Sequence, residues 1–498
     1  MDNPLEARPL LGFDRIRLND RVYVSPLRLR QKCAVFLIFL TASIVYFAYY
    51  AVYRNTVTFL SEDLKYSSFD AVCLSQALIG SSFVLTVFGG CLGDAVVSLY
   101  SVVSAGLLFQ LIGAVLLLTS GCLFKSNERD RRPLFFSSLS FEAVSVTLIQ
   151  ASLPVLGAEQ IKNAGNSAVH LYFQIYYWFN NIGSFCALLI GDVIIDAENE
   201  HQLALMVLGI VEVVVTLICI LIFMSGKLMY TVPKKNPDKL IELFKERPVS
   251  LLRHLWHVSL VFSFISIASV LHSQIDTTFE AQGKFLTKQI NNVELPEKIS
   301  RLTNDIGVLI CLPSFWIIKY ILRKRGITCL QGSLNSLQRM SFAMLMLIAA
   351  ITFSGILEFV RFQSVAPVSI LWQIPQYLLQ GLAELFIYLP AYFFAFTESP
   401  KGLHGFFNGL YLCSRGIGTY ISASVIYIMR QSNIPGMDMT WYPANLKTGH
   451  FGYAMFLLAG IGTVALFVFM IFSPRYVYAK EKHSIINGLE RLDNDSTA

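Results

Sequence analysis

Long apolar runs, each bounded by charges, proline or glycine, recur along the whole chain. A helix crossing the ~30 Å hydrocarbon layer of a bilayer needs roughly 20 mainly apolar residues. Runs of that length lie near 33–60, 71–96, 98–121, 133–156, 168–194 and 203–226, then near 254–282, 303–323, 340–360, 366–397, 403–429 and 450–473. They are too long for barrel strands, and every backbone amide in lipid must be bonded internally, so the pattern predicts twelve transmembrane helices and an all-α membrane protein. The polar stretch 227–253 divides them six and six. The predicted organisation is therefore an N-terminal arm (1–32), a six-helix bundle (33–226), a linker (227–253), a second six-helix bundle (254–473) and a tail (474–498). In the linker, Asn236-Pro237-Asp238 opens an amphipathic segment, Lys239 to Arg247, that Pro248 stops and that is expected to lie on the membrane surface. The 283–300 loop is the one other sizeable connection, so no folded ectodomain is expected.

Composition agrees with this picture. Of 498 residues 54% are hydrophobic and only 14% charged, too apolar for an ordinary water-soluble globule. The first 32 residues are charged, and the first apolar run outlasts a signal core, so the N-terminus is expected in the cytosol, with the C-terminus on the same side. Lys and Arg are in excess on the loops assigned to the cytosol, as the positive-inside rule expects. Lys125, Arg129, Arg131 and Arg132 are the local exception. The net charge of +6 suits an anionic leaflet better than nucleic acid. Nine cysteines lie scattered, without C-x-x-C or metal-ligand spacing, and read as small apolar residues. With no nucleophile beside a histidine base, the sequence does not point to an enzyme and calls for no cofactor.

Charge inside a span costs about 2.5–3.5 kcal/mol at the bilayer centre on insertion scales. Arg54, Asp94, Glu142, Glu212, Asp276, Glu280, Glu358, Glu384 and Arg415 therefore each need a partner, a helix-end position or a solute. Glu384 has the strongest claim on a solute: a mid-span carboxylate can hold an ammonium group, the competing reading being an ion pair with Arg415 on the next helix. In the first span Tyr46, Tyr49, Tyr50 and Tyr53 recur at i, i+3, i+4 and i+7 and line one helical face. Such a stripe is commonly packing, but its mid-span place favours a polar cavity. Arg54 follows it, and a buried guanidinium suits bidentate capture of a carboxylate. Paired six-helix bundles with polar groups near the midplane are the build of a carrier whose site lies between the bundles.

Two stretches are more specific. The first holds Trp372-Gln373-Ile374-Pro375-Gln376-Tyr377, then Gly381, Ala383, Glu384 and Phe386, the loop residues Ala395, Ser399, Pro400 and Lys401, then Gly405, Asn408-Gly409-Leu410, Gly416 and Gly418. The second holds Phe173, Tyr177, Trp178, Asn181, Gly183 and Ser184, preceded by Gly157-Ala158-Glu159-Gln160. In both the chain resembles the proton-coupled oligopeptide transporter family, and within it the peptide/histidine transporter branch. The resemblance implies the major facilitator superfamily fold, a small-molecule substrate such as a di- or tripeptide, histidine or a related amino compound, and proton drive. It implies that Glu384 receives the substrate amino group and that the first-span tyrosines and Asn181 contact its backbone. The candidate binding set is Glu384, Tyr49, Tyr50, Tyr53, Arg54, Asn181, Tyr177 and Trp372.

The departures bear on mechanism. Where the family's first helix reads E-x-x-E-R-F-x-Y-Y-G, this chain has Ala42, Val45, Tyr46, Phe47, Tyr49, Tyr50 and Ala51. The fourth-helix base is Gln150, and the Gly-Arg that usually follows Asp94 is Ser98-Leu99. A tyrosine titrates near 10 and the other replacements not at all, so proton coupling through the first helix is not expected. Glu384, Glu142, Asp276 or a histidine would have to take it over. The alternative function is a pseudotransporter, a membrane scaffold or receptor, though retention of Glu384, the tyrosine stripe and Asn181 favours transport. In the arm, Glu6-Ala7-Arg8-Pro9-Leu10-Leu11 fits an acidic dileucine sorting signal, with Glu6, Leu10 and Leu11 meeting a cytosolic adaptor, and suggests an endolysosomal rather than a plasma membrane. The lack of an N-x-[ST] sequon outside the tail counts against that address.

Overall fold

The structure, a computed structural model, describes residues 28–123, 128–197, 201–232, 248–290, 293–295, 299–325, 334–400, 402–432, 441 and 451–476. The dileucine residues Glu6, Leu10 and Leu11, the linker segment Lys239 to Arg247, and the tail beyond Tyr476 lie outside the described residues.

Among the described residues, twelve long helical segments form where the apolar runs predict them. In order they are Leu29–Thr58, Ser68–Val84 continued by Thr86–Cys91, Leu99–Cys122, Glu128–Ile161, Asn166–Ala197 and His201–Ser225. The second half has Pro248–His272 continued by Thr278–Gly283, Ile299–Lys324, Ser336–Gln363, Ile374–Glu398, His404–Gln431 and Phe451–Phe472. They are called the first to twelfth helices below. Hydropathy misjudged ends more than existence: the fourth helix runs a turn or more past both predicted limits, carrying Pro133 and Pro154 inside it, and the seventh begins at Pro248, inside the predicted linker. The 283–300 loop is not wholly irregular, for Gln289–Ile290 pairs antiparallel with Val293–Glu294. Ten helices are long and apolar enough to cross a membrane among the described residues. The fifth and eleventh are the other two, and both carry polar side chains toward the opposite bundle.

The packing is twice repeated. In the N-terminal bundle the third helix packs on the fourth and sixth, the first on the fifth and sixth, and the second on the fourth. Six helices later the pattern recurs: the ninth packs on the tenth and twelfth, the seventh on the eleventh and twelfth, and the eighth on the tenth. The bundles meet along second against eleventh and eighth against fifth, and again along fourth against eleventh and tenth against fifth. Exchanging the halves maps each pair onto the other, so the two bundles are related as a pseudo-twofold pair.

The second and eleventh helices approach until backbone meets backbone. A Cβ on Gly409 would stand 2.6 Å from the Thr86 carbonyl oxygen, and one on Gly416 would stand 2.7 Å from that of Gly80. Only glycine fits there, which gives the glycines of the Gly405 to Gly418 stretch a packing role. The membrane face on which the first helix begins is called inner, after its predicted cytosolic side, and its opposite outer. Arg131 and Arg132, which ran against the charge rule, lie at the outer end of the fourth helix. Arg131 is buried, and Arg132 donates to the Leu64 carbonyl at 3.0 Å and covers the Tyr66 ring, so both serve local packing.

Candidate solute-binding site

A cavity lies between the bundles, lined by polar and charged side chains of both. The first helix meets it with only part of its tyrosine stripe. Tyr46 and Tyr50 line it, whereas Tyr49 and Tyr53, one row over on the same helix, line a second, smaller cavity inside the N-terminal bundle. Tyr46 donates to Gln150 Oε1 at 3.0 Å. Tyr53 donates to Asp276 Oδ2 on the seventh helix at 3.1 Å. The Tyr49 hydroxyl is buried without a hydrogen-bond partner among the described residues.

Glu384 projects into the main cavity from the tenth helix. It is neither isolated nor paired with Arg415. His272 Nε2 lies 2.8 Å from Oε1, Asn304 Nδ2 donates to the same oxygen at 3.0 Å, and the Tyr177 hydroxyl donates to Oε2 at 2.9 Å. Four helices thus converge on one buried carboxylate. Asn181 lines the cavity and holds its amide on the Tyr177 carbonyl at 2.8 Å. Arg415 lines it from the eleventh helix with its guanidinium 3.9 Å from the Tyr388 ring centroid and 5.0 Å from that of Phe83. No carboxylate lies within ion-pair distance of Arg415 among the described residues, so its charge is held by aromatic faces.

Arg54 is committed elsewhere. It donates to Asp305 Oδ2 at 2.9 Å, to the Ser184 carbonyl at 3.0 Å and to Ser184 Oγ at 2.9 Å. Capture of a substrate carboxylate by Arg54 would first require this buried ion pair to break. Trp372 is also misplaced as a ligand. It lies 60% exposed on the turn before the tenth helix and does not line the cavity. Of the other charged candidates, Glu358 pairs with Arg361 and accepts from Gln282, Asp94 accepts from the Phe406 backbone amide at 2.7 Å, and Asp276, which also lines the cavity, is held by Arg301, which lies 3.8 Å from Glu280.

His272, Asn304, Arg301 and Asp305 belong to the site but do not stand out in the sequence. Arg301 and Asp305 fall at the predicted start of the eighth helix, where charge is ordinary. Their i, i+4 spacing, which puts both on one face, was the available signal.

The cavity is closed on both sides. Toward the outer face the bundles are tied by Arg54 to Asp305 and Tyr53 to Asp276. Toward the inner face rings meet: Phe173 with Tyr392 and Phe396, and Tyr176 with Tyr392. Below them Asn408 donates to the Gln150 and Ala151 carbonyls at 3.0 and 2.9 Å, and His404 Nε2 lies 3.6 Å from Glu159. The first helix thus carries an ionic link between the bundles in Arg54.

A family model described as POT family (PTR2) matches residues 100–250 and 239–442. Solute carrier family 15 member 3 of Rattus norvegicus is 23% identical over 585 aligned positions, covering 98% of this chain and 99% of that protein. Protein NRT1/PTR family 8.5 of Arabidopsis thaliana is 29% identical over 253 residues, which are 49% of this chain and 41% of that protein. The match to this plant relative thus spans less than half of its length. The crystal structure of the POT family transporter PepTSo superposes with a TM-score of 0.71 at 15% identity, covering 91% of this chain and 99% of that one. Likeness at that identity carries the fold, the twelve-helix, two-bundle arrangement of the major facilitator superfamily.

Proposed function

Because the chain belongs to the POT family, whose members are transporters and not enzymes, we propose that it carries small zwitterionic solutes, such as short peptides, histidine or related amino compounds, by alternating access. The observation that carries this reading is the pair of opposite charges, Glu384 and Arg415, that share one enclosed cavity between the bundles without neutralising each other. A zwitterion fits that arrangement with its ammonium at Glu384 and its carboxylate at Arg415. The ammonium would replace His272 as a donor to Glu384, and Arg415 can offer its planar fork to a carboxylate while its face stays on Tyr388. Tyr50, Tyr177 and Asn181 lie where they meet the backbone between the charged ends.

Alternation follows from the two closures. Rupture of the Arg54 to Asp305 and Tyr53 to Asp276 contacts opens the outer side, and separation of Phe173 and Tyr176 from Tyr392 opens the inner side. The first helix has no acid at its Ala42 and Val45 positions and no arginine at Tyr46, and the Tyr46 to Gln150 contact is a neutral hydrogen bond, so protonation cannot switch that contact near neutral pH. An endolysosomal address through the dileucine motif is part of the same reading. A Leu10→Ala/Leu11→Ala variant that keeps the wild-type distribution in cells would remove the motif from it.

The test is uptake of labelled dipeptides and histidine into proteoliposomes, with ligand-induced thermal stabilisation measured in parallel. Glu384→Gln keeps the shape and removes the charge, so ligand affinity should fall roughly ten- to a hundredfold, the worth of a charge-assisted bond of about 1.5–3 kcal/mol. Arg415→Gln should weaken carboxylate-bearing ligands and spare their amides. Ligand stabilisation that survives both changes would overturn the assignment. Absence of any flux by wild type would leave the scaffold reading in its place.

A further inference from the structure

Inside the N-terminal bundle, away from the main cavity, two acids lie side by side. Glu142 of the fourth helix and Glu212 of the sixth are 5% and 1% exposed and flank the same stretch of the third helix, where Gly113 packs on Glu142 Oε1 and Leu118 packs on Gly209, one turn before Glu212. None of their four oxygens has a donor among the described residues. Each lies near the middle of its helix, in Glu128–Ile161 and His201–Ser225, and so near the middle of the membrane.

The third helix brings a further unsatisfied group to the same layer. A Cβ on Gly113 would stand 2.8 Å from Glu142 Oε1, and Gly106 lies against Ile149. Gln110 falls between these glycines on the same helical face, so its side chain projects at the level of Glu142 and Ser145. It is 1% exposed, and both atoms of its amide lack a partner among the described residues. The hydroxyls of Ser145 and of Thr216, one turn beyond Glu212, are buried and unpartnered there as well. Such a density of orphaned polar atoms is costly in any core, and more so in a bilayer.

We propose that Glu142 and Glu212 form a proton-binding pair in the N-terminal bundle, holding one proton between an oxygen of each, and that this is the proton a solute-coupled cycle would use. The second part rests on the carrier reading above; the first does not. Two adjacent carboxylates without a counter-charge cannot both stay ionised in a bilayer. Binding a proton makes one O–H bond, removes one charge and supplies the missing donor. A metal cation suits the site less well, because no group of three or more His, Cys, Asp or Glu side chains gathers there among the described residues, whereas a proton needs only the two carboxyls.

Access is through the second cavity. Glu142 lines it together with Tyr49 and Tyr53 of the first helix and Ser75 and Ser82 of the second. The titratable groups that face the pair are those two tyrosines; among the described residues no Lys, Arg or His lines this cavity, and the third and sixth helices bring only Gln110 and Thr216. Tyr53 donates to Asp276 in the outer closure. The cavity that Glu142 lines is therefore shared with a residue of the outer closure, which is how proton occupancy would be tied to opening.

The experiment is infrared difference spectroscopy of the full chain in lipid nanodiscs, stepped across pH, beside Glu142→Gln, Glu212→Gln and the double variant. Wild type should show a protonated-carboxyl carbonyl band that persists at neutral pH, shifts in either single variant and disappears in the double. A wild type without that band, or a double variant that retains it, would overturn the proposal. So would a band abolished by sodium in place of choline at constant pH, which would make the site a cation site. Should one variant fail to fold, wild type and the other single variant still decide the matter. Dipeptide-induced thermal stabilisation, read on the same samples, should stay within about twofold in Glu142→Gln while falling in Glu384→Gln. The two readings thus fail separately: loss of the band condemns the pair, whereas loss of ligand stabilisation in wild type condemns the carrier and the coupling that rests on it but leaves the proton pair standing.

Discussion

Arg54 shows what a side chain's neighbours in sequence cannot reveal. Its partner Asp305 is 251 residues away in the chain, and the first-helix context alone made Arg54 look free for a solute. Because both groups are buried, removing one is expected to cost far more than removing both. Asp305→Asn should lower stability by about 3–5 kcal/mol, while a paired apolar replacement at both positions should recover most of it. Thermal melts in detergent would read the difference, and equal loss in the single and paired variants would show that the ion pair is incidental. Tyr46 makes the opposite case. Its bond to Gln150 is neutral, so Tyr46→Phe should cost about 1 kcal/mol of stability and leave the pH profile of transport where it was. Glu384, Tyr177 and Asn181 were legible because they stand in specific motifs and deep in apolar runs. His272 and Asn304 were not, since an uncharged polar residue within a span carries little signal until the helix opposite is known.

Helices were the most readable level, because a run of some twenty apolar residues has few other structures open to it. Their ends were less so: charges that look like loop, such as those at the start of the fourth helix, belong to helical turns that protrude from the hydrocarbon. The pairing of helices was invisible, yet the glycines hinted at it. Where the second and eleventh helices cross, Gly409→Ala would bring Cβ to 2.6 Å from a backbone oxygen, and should destabilise by about 1–3 kcal/mol. A methyl added at Gly460 of the twelfth helix would meet nothing within 4 Å, and Gly460→Ala should show no loss. Comparing the two by thermal unfolding in lipid separates close packing from helix propensity. Equal effects would mean the crossing is loose.

At the scale of the whole molecule the repeat of pairings across the two bundles makes one half a template for the other, so rocking about the central cavity conserves contacts on one face as it breaks them on the other. A reporter cysteine at Ile275, on the cavity wall, should become more reactive to impermeant maleimide from the inner side in Phe173→Ala/Tyr392→Ala. In Asp305→Ala it should become more reactive from the outer side. Labelling from the same side in both would contradict two separate closures. The closures are also made of different materials. The outer one is ionic and directional; the inner one is chiefly ring against ring, and to part it is to wet apolar surface, which carries a large heat-capacity change. Their barriers must therefore diverge on cooling and warming, and the Eyring plot of flux should be nearly straight where outer opening is slowest and bend where inner opening takes over. A carrier latched this way keeps its own thermometer, with the slow half of the cycle decided by temperature before any solute arrives.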